Sequence, residues 1–236
     1  MKKFILLSII CFFTNLSNAQ IDSYGFEYSR NFSTQLNFNP QKSFDGTTQW
    51  NTLSSNGLGI FLSYKIPNTK FNAQTNIKYI RKGFVEKAQL LKIPGNFQSI
   101  YDNEFKNTFD YLNFDFRIAF NLLNTYDYSL SPYIGIRNSF LISKSLESDI
   151  KPINFFYPMK YYKDFNKYNI GYMFGLSLKL SNLLIIEGET NLDFNHVIKT
   201  DILEVKNWVG SINFGFNISE LLKIAHKKKS RLPINH

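Results

Sequence analysis

The sequence predicts an all-β fold, an eight-stranded antiparallel up-and-down transmembrane β-barrel, from three observations. Apolar and polar residues alternate with a period of two along several segments, as they do in strands that bury one face. No run of about eighteen or more apolar residues occurs, which argues against a conventional transmembrane helix. Short and long connections alternate between the predicted strands, which is typical of barrels that span a membrane.

The amino-terminal residues have the features of a signal peptide. Two lysines precede an apolar run over residues 4–13, and Ala19 supplies a small residue before a cleavage point at Gln20. The apolar run is too short to cross a bilayer as a helix. Cleavage would remove Cys11, the one cysteine of the chain, so disulfides and thiolate metal sites are not expected. The predicted division of the chain is a signal peptide at 1–19, an outer-membrane barrel at 20–218 and a basic periplasmic tail at 219–236.

Four segments alternate strictly and are the clearest strands. In the first of them Leu112, Phe114 and Phe116 lie between polar neighbours, so one face is apolar and the other is polar. Several segments are about ten residues long, the length that a tilted strand needs to cross a membrane. The four clear strands are 110–121, 170–180, 184–195 and 208–218, and four weaker ones are 24–32, 58–66, 71–80 and 132–140.

The connections between these strands alternate in length. Barrels of outer membranes pair short periplasmic turns with longer extracellular loops, so this alternation places both chain ends in the periplasm. A basic tail of this kind is ordinarily a solvated end, although residues 219–225 are also compatible with a short amphipathic turn at the inner leaflet. The short connections are 67–70, 122–129 and 181–182; the long ones are 33–56, 81–107 and 141–167, with 196–205 intermediate.

The polar face carries charges of both signs, whereas the apolar face carries almost none. A soluble barrel of the lipocalin kind would have an apolar lining and a wet outer face, so the charged face is predicted to line the interior. Charges in a narrow lumen need partners, which predicts a structural ion-pair network. Its expected members are Glu27, Lys65, Asp115, Arg117, Arg137, Lys179, Glu187 and Glu189, with Lys78 and Asp193 on the same face.

Other kinds of site are less well supported. A narrow ion or proton path through the lumen is one alternative, and a catalytic carboxylate pair at Glu187 and Glu189 is another. His196, near Asp193 and Thr200 at a strand end, would be the centre of a rim-active enzyme. No metal-ligand spacing or cofactor motif is present in the sequence, so no cofactor is expected.

Aromatic residues near the predicted strand ends are expected to form girdles at the membrane surfaces. Phe and Tyr together are abundant, at 24 and 14 residues. The net charge of +9 comes in part from the signal peptide and the tail, so a nucleic-acid-binding surface is not indicated. The expected girdle residues are Tyr64, Phe71, Phe120, Tyr133, Tyr168, Phe194 and Trp208.

Two stretches carry a resemblance to a family. The segment Tyr24-Gly25-Phe26-Glu27 and the closing Trp208-Val209-Gly210-Ser211-Ile212-Asn213-Phe214-Gly215-Phe216 resemble the PorT-like small outer-membrane β-barrel proteins of Bacteroidetes. The resemblance implies an eight-stranded barrel in the outer membrane, and one branch of that family assists protein secretion. Unlike the usual pattern, the chain continues well past the last aromatic strand residue.

The function expected from the sequence is a non-enzymatic barrel, in contact with outer-membrane lipid. It would be a monomer that anchors extracellular loops for binding an envelope protein, or that assists envelope assembly or secretion. A narrow passive channel is the alternative, and a rim-active outer-membrane enzyme is a third hypothesis.

Overall fold

A computed structural model describes residues 20–37, 49–89, 102–125, 127–148, 166–199 and 204–229, so the predicted signal peptide lies outside the described residues. The chain forms long strands joined at their ends, followed by one helix. The elements are β1 (Gln20–Asn37), β2 (Gln49–Lys65), β3 (Phe71–Gln89), β4 (Asp102–Phe120), β5 (Leu123–Asn124), β6 (Tyr128–Ser148), β7 (Tyr168–Leu180), β8 (Leu184–Asp193), β9 (Ile198–Lys199), β10 (Glu204–Asn217) and α1 (Ile218–Lys229).

The long strands close into a barrel. Each one pairs antiparallel with its neighbours in the order β1-β2-β3-β4-β6-β7-β8-β10, and β1 pairs with β10 to complete the circle. The two-residue strands β5 and β9 pair only with β6 and β10, respectively. Because closure gives every barrel strand two partners, it removes the free sheet edges that would otherwise invite aggregation. This architecture confirms the predicted eight-stranded antiparallel barrel.

The two ends of the barrel differ. At one end, which we call the turn end, tight connections join β2 to β3, β4 to β6 and β7 to β8, and β1 begins and β10 ends there. Three residues adopt a positive φ in these turns, two of them asparagines, which tolerate that conformation: Asn68, Ser181 and Asn182. The opposite end, the loop end, carries the longer connections.

Four neighbouring strands, β2, β3, β4 and β6, are much longer than the sequence predicted. β2 pairs with β3 from Gln49 with Lys87, β3 stays paired with β4 as far as Gln89 with Asp102, and β4 pairs with β6 as far as Ser148. The predicted loops 33–56, 81–107 and 141–167 are therefore wrong where they contain strand, at residues 33–37, 49–56, 81–89, 102–107 and 141–148, and most of their other residues lie outside the described ones. We call residues 49–56, 81–89, 102–110 and 141–148 the sheet extension.

The barrel wall has an apolar outer face. On β3 this face runs from Phe71 to Tyr79, about 27 Å along the strand at the usual rise, or about 20 Å along the barrel axis at a typical tilt. In the described residues, no helix is long and apolar enough to cross a membrane. The outward side chains that define this apolar belt include Tyr24, Phe26, Leu58, Ile60, Phe71, Ile77, Phe114, Ile118, Ile134, Ile136, Tyr172, Phe174, Ile212, Phe214 and Phe216, all of them exposed.

Rings cluster near both limits of the belt. Phe140 contacts both Phe114 and Tyr168, with ring centroids 5.7 Å and 5.0 Å away, and Phe71 packs on Phe120 at 5.4 Å. Tyr133, which was expected in this girdle, instead points inward and is buried. Its position has the same parity as the lumen residues of β6, which explains the inward direction.

Helix α1 replaces the tail that was expected to be irregular. It begins directly after β10 and packs against β1 at the turn end. The Asn217 side-chain oxygen accepts hydrogen bonds from the Glu220 N–H and the Ser219 hydroxyl, at 3.4 Å and 2.7 Å. An asparagine at this position caps the helix start. Residues 230–236 of the predicted tail lie outside the described residues.

Candidate functional site

Inward-facing charged side chains from five strands meet in the middle of the barrel. The strand alternation directs every second side chain into the lumen, so β1, β3, β4, β6 and β8 each contribute at one level. The side chains brought together, which we call the lumen network, are Glu27, Lys78, Asp115, Arg117, Arg137, Glu187 and Glu189, each less than 8% exposed.

Arg137 is the centre of this network. Its guanidinium donates two hydrogen bonds to Asp115, at 2.8 Å and 2.7 Å, and a third to Glu189 at 2.6 Å. Lys78 forms an ion pair with Glu27 and lies 3.8 Å from Asp115 and 3.9 Å from Glu189. Each carboxylate therefore faces a cation, which is what offsets the cost of burying charge.

Arg117 and Glu187 form a second group of charges beside the Arg137 group. Arg117 donates to both oxygens of Glu187, at 2.7 Å and 2.5 Å, in the bidentate geometry that suits guanidinium and carboxylate. The Arg117 guanidinium also stacks over the Tyr133 ring, 4.2 Å from its centroid, and the Tyr133 hydroxyl donates to Glu189 at 3.1 Å. Tyr133 thus joins the two ion-pair groups into one network.

A glycine makes room for that tyrosine. A Cβ placed on Gly175 of β7 would lie 2.3 Å from the Tyr133 ring, a distance that real Cβ atoms do not adopt. On β8, a Cβ on Gly188 would meet nothing within 4 Å. The lumen packing therefore requires glycine at position 175, whereas Gly188 is on the outer face of the wall, where a side chain has room.

Lys82 belongs to the lumen but was not predicted there, because it was assigned to a loop. It is fully buried, donates to the Ser139 hydroxyl at 3.1 Å, and lies 3.8 Å from Asp193 and 4.7 Å from the centre of the Tyr111 ring. Asp193 also accepts a hydrogen bond from the Asn207 amide at 3.0 Å. Lys82 follows Lys78 by four residues, and an even spacing places both lysines on the same face of a strand, which is the signal in the sequence that could have found it.

An apolar cluster lies inside the barrel on the loop-end side of the lumen network. Ile80, Phe84, Phe109 and Tyr111 are all buried there and pack together with Leu141. A small cavity of about 10 Å³ lies beside Arg117 and has room for about one water.

The two remaining predicted members differ from the rest. Lys65 is exposed, and Lys179 is only partly buried. Both line an open vestibule of about 490 Å³ at the turn end, together with Lys70 and Asp22. Their parity was predicted correctly, but their strands end here, so these lysines reach water instead of a buried carboxylate.

Polar side chains also mark the loop-end limit of the belt on its outer face. Arg81 donates to both Asp110 oxygens, at 2.7 Å and 3.2 Å. This hydrogen-bonded pairing holds the pKa of the Asp110 carboxylate below its usual range. Elsewhere on this limit Arg30 donates to Asn56 at 2.8 Å. These outward-facing polar side chains mark where the apolar outer face of the wall ends.

Asp193 does not join His196 in the rim site of the third hypothesis. His196 is partly buried in the turn that follows β8, whereas Asp193 points into the lumen toward Lys82. Thr200 lies outside the described residues. Within the part of the chain that the structure describes, no group of three or more His, Cys, Asp or Glu side chains is placed to hold a metal ion.

Comparison with known proteins returns small barrels. The chain is similar to Neisserial surface protein A (TM-score 0.41, 11% identity, 84% of this chain and 98% of the other). It is also similar to Ail, the attachment invasion locus protein of Yersinia pestis (0.38, 11%, 84% and 99%), and to the outer membrane protein OprG of Pseudomonas aeruginosa (0.37, 11%, 83% and 96%). TM-scores this low carry no functional conclusion. No protein-family model and no curated protein sequence matches the chain.

Proposed function

We propose that this protein is a non-enzymatic barrel of the bacterial outer membrane that presents its sheet extension and connecting loops for binding. Both chain ends would lie in the periplasm, at the turn end, and the extension outside the cell. The partner would be another macromolecule of the envelope or the cell surface, in keeping with the resemblance to PorT-like barrels that assist secretion.

The apolar belt supports the membrane assignment. Its height of about 20 Å is close to the apolar band of about 25 Å that outer-membrane barrels present to lipid. The interior is charged and the exterior is apolar, which is the reverse of a soluble barrel. Exposing this many large apolar side chains to water would be costly, whereas lipid tails accommodate them.

The sheet extension is the observation that best supports the binding role. Its four adjacent strands continue for about eight residues beyond the belt, which is more than crossing the bilayer requires. A hydrogen-bonded sheet holds the strand ends in fixed relation to one another, and residues positioned by a rigid scaffold are the usual place for binding. An exposed surface of this kind includes Ser143 and Lys144 on β6.

The filled lumen supports a role that does not use transport. Buried ion pairs and the apolar cluster lie inside the barrel, and the cavity of about 10 Å³ beside Arg117 has room for about one water. A channel would require breaking several buried ion pairs at once, at about 3–5 kcal/mol each. The passive-channel alternative is therefore less well supported.

Site-specific photo-crosslinking in cells tests the proposal. A photoreactive amino acid at Ser143 on the sheet extension should give a discrete adduct with a macromolecule outside the cell, and an epitope inserted between residues 90 and 101 should be stained on intact cells. The matched position Ile134 in the middle of the belt should crosslink to lipid. An epitope detected only after permeabilisation, or a Ser143 variant with no adduct other than lipid, would refute the surface-binding role.

A further inference from the structure

Helix α1 presents apolar side chains that nothing in the described residues covers. Leu221, Leu222 and Ile224 are 44%, 45% and 52% exposed, although they lie next to a barrel wall. At helical spacing Leu221 and Leu222 share one face with Ile218, while Ile224 lies on the same side as Glu220. The two leucines leave this apolar face without a partner in the described residues, and exposed apolar patches mark sites that contact a membrane or another protein.

The helix is held at the edge of the apolar belt. Phe216, the last outward residue of β10, is exposed one residue before Asn217, and α1 packs on β1. The Asn217 amide donates to the Asn182 carbonyl at 2.8 Å, while its oxygen caps α1. One side chain therefore ties the helix start to the turn between β7 and β8, which places α1 next to the turn-end limit of the apolar belt.

The charges of the helix suit a membrane surface. Lys223 forms an exposed ion pair with Glu220 at 3.3 Å, and the helix ends in three successive lysines, Lys227, Lys228 and Lys229. Basic residues that follow an apolar helix face lie at the depth of lipid headgroups and are attracted to anionic ones. An apolar face and a basic end together match a phospholipid bilayer.

We propose that α1 is an interfacial anchor, lying in the headgroup region of the membrane leaflet at the turn end, with Leu221 and Leu222 toward the acyl chains and the lysines on anionic headgroups. This inference rests on the proposed function, because it requires that the barrel spans a bilayer. It assigns the tail a definite partner, which is the lipid of the leaflet that the turn end faces.

Depth-dependent fluorescence quenching tests this anchor in the reconstituted chain. Produced without residues 1–19, the chain has no cysteine, so single cysteines can be labelled with an environment-sensitive dye in the variants Leu222→Cys, Lys223→Cys and Ile134→Cys. The vesicles contain phosphatidylcholine with or without phosphatidylglycerol, and a lipid that carries a quencher near the top of its acyl chain. The dye at 222 should be quenched about threefold more than the dye at 223.

The belt position separates failure of the anchor from failure of the barrel. Quenching at 134 without quenching at 222 would overturn the anchor alone, whereas no quenching at 134 would overturn the membrane-spanning barrel. A second copy of the chain could instead cover this face. In that case the dye at 222 would be shielded from both the lipid quencher and aqueous iodide, and more so at higher protein density, which would also overturn the anchor. Replacing Lys227, Lys228 and Lys229 by Gln should reduce quenching at 222 only when phosphatidylglycerol is present.

Discussion

Arg137 is the residue whose removal should be most damaging to the barrel. It makes three hydrogen bonds to Asp115 and Glu189, between 2.6 Å and 2.8 Å, and all three side chains are buried. In Arg137→Met a side chain of similar length fills the space but carries no charge. The two carboxylates would then depend on Lys78, which lies 3.8 Å and 3.9 Å from them and also pairs with Glu27.

The expected loss follows from comparing this pair with an exposed one. Removing one partner of a buried ion pair costs about 3–5 kcal/mol of unfolding free energy, because the other charge stays buried without compensation. Arg137 serves two carboxylates, so its loss should reach the upper part of that range. Arg81→Met at the exposed pair with Asp110 should cost only about 0–1 kcal/mol, since water screens that interaction.

The assay is urea unfolding of the reconstituted barrel, followed by tryptophan fluorescence. Removing the stranded charges as well, in Arg137→Met with Asp115→Asn and Glu189→Gln, should recover at least about half of the loss, because neutral amides cost less to bury. This rescue also keeps the test informative if Arg137→Met alone does not fold. If Arg137→Met costs no more than Arg81→Met, the lumen network does not stabilise the fold as argued here.

Three further outcomes are expected. Gly175→Ala should destabilise the barrel by about 1–3 kcal/mol because its Cβ meets the Tyr133 ring, while Gly188→Ala should change unfolding by about 0.5 kcal/mol or less; equal effects in urea titrations would contradict the packing argument. Because the pKa of Asp110 is low, its pair with Arg81 stabilises the barrel above about pH 4, the ordinary aspartate pKa, and this contribution is lost as the pH falls further. Asp110→Asn should remove this small acid-dependent part of the unfolding midpoint. An unchanged pH profile in Asp110→Asn would refute the assignment. In planar bilayers the protein should give no steady conductance, and discrete channels in most insertions would favour the passive-channel alternative.

The sequence was most informative where the wall faces two different environments. Along 110–121 one face is the apolar outer wall and the other lines the lumen, so a period of two is visible, and Asp115 and Arg117 lie inward as the alternation predicts. The same alternation places Tyr133 in the lumen. It was assigned to the girdle because it is aromatic and lies near a strand end.

The extension could not be recognised in the same way. Beyond the belt the outer face carries Arg81 and Asp110, so apolar alternation is lost although the backbone pairing continues. Pairing irregularities between Thr52 and Gly57 and between Asp110 and Tyr111 lie at the same height. Lys82 fell within the predicted loop 81–107, although it keeps the inward parity of Lys78.

The helix left a signal that the sequence reading underused. The cap residue Asn217, the acidic Glu220 in the first turn and the spacing of Ile218, Leu221 and Leu222 together indicate a helix start and an amphipathic face. The run of lysines was instead read as a solvated tail. The partners in the ion pairs, by contrast, could not be predicted. They depend on how the barrel closes and on which residues of non-adjacent strands lie at the same height, and the two-residue alternation does not give this.

The most direct test of the central claim is a heat-modifiability gel on separated inner and outer membranes, with boiled and unboiled samples compared by antibody. The account predicts a band in the outer-membrane fraction whose migration shifts on boiling, because a closed barrel stays folded in detergent until it is heated. A band that does not shift, in the soluble periplasm or the medium, would contradict the membrane-spanning barrel.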